Sequence, residues 1–65
     1  MTEEEFWKII NKANSGDLDA MKRAAFILME ISEKKMAAGE VENAMNILSR
    51  VDEYRKKIKA IDPNW

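Results

Sequence analysis

Apolar and polar positions alternate along this chain with the period of an α-helix, in three blocks separated by two glycines. In the first block Phe6, Ile10 and Ala13 share one face, flanked by Trp7 and Ile9. In the second, Leu18, Ala20, Met21, Ala24, Ala25, Ile27, Leu28, Met29, Ile31 and Met36 fill an arc of about 200°. A helix packed on one neighbour needs only about 100°. The second helix is therefore the central element, touched on two sides. The third block has a narrower stripe of Val41, Ala44, Ile47, Leu48, Val51, Tyr54, Ile58 and Ile61, as expected of an outer helix. Phe26 falls outside the apolar arc of its helix, among Lys22, Arg23, Glu30 and Glu33.

The ends of these blocks carry their own signals. Thr2 and Glu5 have the spacing of a capping box, with Met1 and Phe6 at the flanking staple positions. Glu3, Glu4 and Glu5 complement the positive end of the first helix. Gly16 ends that helix, Asp17 caps the next, and Gly39 ends the second. Pro63 stops the third, because a residue before proline avoids the helical region. The pattern predicts a single all-α domain with helices at about 3–14, 18–37 and 40–61 and a tail at 62–65. Trp65 in that tail either covers Tyr54 or Ile58 or stays free.

At 1.5 Å per residue the second and third helices are each about 30 Å long and the first about 18 Å. Short loops make neighbours antiparallel. The expectation is a short N-terminal helix lying beside the first half of helix 2 and the second half of helix 3. The other half of the hairpin then lacks a third helix. Its apolar residues are Ile31, Met36, Val41, Met45 and Leu48. Uncovered patches of this kind mark interfaces. They point to a protein partner, either a second copy in a homodimer or a larger protein, with Phe26 as a second contact.

Composition narrows the chemistry. The chain has 65 residues, no cysteine and no histidine. Disulfides, thiolate ligands, the commonest metal ligand and the commonest general base are all missing. Glu30 and Glu33 sit one turn apart, but bundle di-metal sites pair such glutamates with histidine. They read as a solvated face. With two glycines there is no Gly-rich phosphate loop. Neither a cofactor nor an enzymatic activity is expected. A domain of this size buries only about 60% of its unfolded surface, which leaves self-association as the support still open to it.

The net charge is −1, so no global field draws nucleic acid or an acidic membrane. A local basic cluster, Arg55, Lys56, Lys57 and Lys59, is the alternative site, for phosphates. These residues scatter around a helix, however, and complement its dipole more simply. The longest apolar run, Ala24 to Met29, is too short to span a bilayer. The acidic N-terminal turn is the reverse of a targeting signal, and a cytoplasmic location is expected. Met21 is expected in the core, and Met36 and Met45 equally suit core or an adaptable groove.

The run Lys12-Ala13-Asn14-Ser15-Gly16-Asp17-Leu18-Asp19-Ala20 resembles the junction between units of Sel1-like repeats. Gly39, Val41, Ala44 and Asp62-Pro63-Asn64 resemble the tetratricopeptide pattern. The resemblance implies an α-hairpin scaffold that binds proteins. The chain departs from it in having Ala24-Ala25 where a repeat has Leu-Gly, a Gly39–Pro63 stretch about two turns too long, and only one hairpin.

Overall fold

Three helices, α1 (Glu3–Asn14), α2 (Leu18–Ala37) and α3 (Val41–Ile61), make up the computed structural model, which describes all 65 residues. The helix ends follow from local chemistry. Thr2 Oγ1 accepts from the Glu5 amide at 3.2 Å, and Glu5 Oε2 accepts from the Thr2 amide at 3.3 Å, so both halves of the capping box form. Asp17 Oδ1 accepts from the Ala20 amide at 2.9 Å. Gly16 and Gly39 have φ of 98° and 82° and close their helices in the same way. The Gly16 amide donates to Ala13 O and that of Asp17 to Lys12 O; Gly39 donates to Met36 O and Glu40 to Lys35 O. These are Schellman motifs. At the second, a Lys35–Glu40 ion pair of 3.4 Å ties the turn where other helices use an apolar contact.

The long helices α2 and α3 form the hairpin, and α1 packs on α2. Alanines make this close approach possible. Ala13 of α1, Ala20, Ala24 and Ala25 of α2 and Ala44 of α3 are all buried. Met21 and Ile58 are the largest side chains with no exposed surface, and they join Leu28, Val51 and Tyr54 in the core. That core is lopsided. It fills the end where α1 covers the hairpin, whereas the loop end buries only Ser32 and Ala44. Ser32 is tolerated there because its hydroxyl donates to Met29 O at 2.7 Å.

The backbone of α1 lies against α2 and stands off from α3, which it reaches through side chains such as Asn14, the acceptor of the Tyr54 hydroxyl. No Cα of α1 comes within 8 Å of one in α3. The three helices form a V with α2 at the vertex, not a closed triangle. The molecule is flat, 35 × 26 × 14 Å, with a radius of gyration of 12.0 Å. A compact chain of this length would have about 10.7 Å. Its accessible surface of 4822 Å² likewise exceeds the roughly 4,250 Å² of a compact monomer of this mass.

The tail turns back. Trp65 N donates to Asp62 O at 3.1 Å across Pro63 and Asn64, a β-turn with proline at its second position. Asp62 is also paired with Lys22 Nζ at 3.2 Å. Trp65 is thereby neither free nor aimed only at Tyr54 and Ile58. It packs on the core, and its ring partner is Phe26.

Candidate functional site

Two surfaces flank the slab. The first is the open face of the hairpin, away from α1. Met36 and Leu48 share a shallow depression with Met29, Ser32 and Glu33. Val41 and Met45 continue the Leu48 face of α3, being two turns and one turn away on the same side. Val41 and Met45 are 52% and 56% exposed and Met36 is 42% exposed. Phe26 lies one turn from Met29 on the same side of α2 and is 62% exposed despite its contact with Trp65. The open face thus carries a broken apolar line from Trp65 and Phe26 through Met29 to Met36, beside Leu48, Met45 and Val41.

Ile31 does not belong to this group. It stands about 140° round α2 from Met36 and is half-buried against the core. The expectation grouped it with Met36 by distance along the helix, but the two face different ways.

The second surface is the inside of the V. A groove of about 320 Å³ runs between α1 and α3. Phe6, Trp7, Ile10 and Asn14 form one wall, Leu28 the floor, and Ile47, Arg50, Glu53, Tyr54 and Lys57 the other wall. Trp7 is 52% exposed and meets Phe6 edge to face, with ring centroids 5.3 Å apart. At one end the Tyr54 hydroxyl donates to Asn14 Oδ1 at 3.0 Å and joins the walls. Helical periodicity alone does not show this groove, because it exists only where the backbone of α1 stands off from α3. The signal was present in Trp7, a large aromatic one step off the apolar stripe of α1.

The remaining candidates stay apart. Arg55, Lys56, Lys57 and Lys59 are exposed at four different angles round α3, with Lys57 on the groove rim and the others off it. They form no stripe for a phosphate backbone. Glu30 is exposed and lies 3.9 Å from Lys34, one turn on. No three carboxylates cluster together. No helix is long and apolar enough to cross a membrane. No family model, curated protein or solved structure matches this chain.

Proposed function

We propose that this chain is a non-enzymatic protein–protein interaction module of the cytoplasm that pairs with a second copy of itself through the open face of its hairpin. The observation that carries the reading is the loop half of the hairpin, which buries only Ser32 and Ala44 while exposing Met36, Val41 and Met45. An apolar surface of this kind gains roughly 25 cal/mol for each Å² removed from water. The accessible surface exceeds that of a compact monomer by roughly 600 Å², of the order that one partner contributes to a standard interface. A two-fold axis sets the same patch against itself and closes the assembly. Two hairpins packed in this way make a four-helix layer, with each α1 on an outer side. The scaffold role implied by the resemblance to α-hairpin repeats agrees with this reading.

Sedimentation at micromolar concentration tests it. The wild type is expected at twice 7.5 kDa. Leu48→Glu places an unpaired charge in the contact and is expected to give monomers. Met45→Glu does the same from an exposed position, where the monomer fold is undisturbed. A wild type at 7.5 kDa, or a Met45→Glu dimer as tight as the wild type, refutes the pairing.

A further inference from the structure

The groove inside the V lies on the other side of the slab from the open face, since Leu28 and Phe26 stand about 160° apart round α2. Its shape and its charges both describe an occupant. α1 and α3 run parallel to each other, because each is antiparallel to α2, and the groove between them runs from Phe6 to the Asn14–Tyr54 hydrogen bond, about 12 Å along α1. That is the vacant corner of a four-helix bundle. Its lining is apolar on α1 and the floor, through Phe6, Trp7, Ile10 and Leu28.

The α3 rim carries a charge code. Arg50, Glu53 and Lys57 fall on successive turns as plus, minus, plus, with Arg50 and Lys57 two turns or about 10 Å apart. None of the three is in an ion pair; the three pairs of the chain are Lys22–Asp62, Lys34–Glu30 and Lys35–Glu40. The complement is a helix with acidic residues seven positions apart and a basic residue between them, on one flank of an apolar stripe.

That complement excludes the chain itself. No helix here has two acidic residues seven positions apart; Glu33 and Glu40 have that spacing, but α2 ends at Ala37 between them. The C-terminal tail is also excluded, because Trp65 is held on the opposite face by Phe26. We infer that the groove between α1 and α3 receives an amphipathic helix of a different protein, whose acid–base–acid flank pairs with Arg50, Glu53 and Lys57. Its apolar stripe covers Trp7 and Ile10, as in other helix-in-groove recognition. One side of the slab then serves a second copy and the other a distinct partner.

The probe is a synthetic amphipathic peptide of four turns, with leucines at helical spacing and a Glu–Lys–Glu flank on successive turns. Its control has the same leucines and a Lys–Glu–Lys flank. Backbone amide shifts of the labelled protein are expected to move at Ile10, Ile47 and Arg50 with the first peptide. Binding of the control is expected to be about five- to tenfold weaker, the effect of a few exposed ion pairs. The triple variant Arg50→Glu, Glu53→Lys, Lys57→Glu alters only exposed side chains and is expected to reverse the preference. Absence of binding, equal affinity for the two peptides, or shifts centred on Met36 and Met45 each overturns the assignment. The wild-type peptide pair decides it even where the triple variant fails to fold. Oligomeric state is a separate readout, so failure of the self-pairing leaves this result interpretable.

Discussion

Phe26 and Trp65 meet edge to face, with ring centroids 5.9 Å apart and planes inclined at 73°. The contact joins the middle of α2 to the last residue of the chain. It depends on the Asp62–Trp65 turn, and the Lys22–Asp62 ion pair anchors the start of that turn. Aromatic pairs of this geometry contribute about 0.5–1.5 kcal/mol beyond their area. A double-mutant cycle of Phe26→Ala and Trp65→Ala, read by thermal denaturation, is expected to give a coupling in that range. Additive single effects would mean that the rings do not hold the tail.

Helix caps offer a second test. Thr2→Ala and Asp17→Ala each remove a side-chain acceptor from a helix N-terminus and are expected to cost about 0.5–2 kcal/mol. Asp17 is expected to cost more. Its bond is shorter, 2.9 Å against 3.2 Å, and partly buried, whereas that of Thr2 is exposed. Urea denaturation of the two variants checks the order. A Thr2→Ala midpoint equal to or below that of Asp17→Ala contradicts it.

Gly39 supplies the third. A Cβ there meets nothing within 4 Å, so the whole effect of a substitution comes from the backbone at φ 82°. Gly39→Ala is expected to cost roughly 1–2 kcal/mol, and Gly39→Asn less, because asparagine visits the left-handed region more readily. For a domain of this size each kcal/mol lowers the melting temperature by about 4–8 °C. Equal melting temperatures for the two variants would show that φ at this turn is not what selects glycine.

The sequence by itself determined the three helices and where they stop. Those signals are local: Thr2 with Glu5, Asp17, Gly16 and Gly39 each act within one helical turn, so no distant residue is needed to read them. It also determined that α2 is central, because an apolar arc is a property of one helix. Tertiary structure decided how far round α2 the neighbours sit. That angle depends on the mutual fit of Ala13, Ala20, Ala24, Ala25 and Ala44, which no single helix encodes. From it follow the V in place of a triangle, the groove beside Trp7, and the separation of Ile31 from Met36. The partner of Phe26 was also beyond the local pattern, because Trp65 lies 39 residues away and arrives through a turn. Periodicity tells which residues of a helix face together; only packing between helices decides which of those faces are covered.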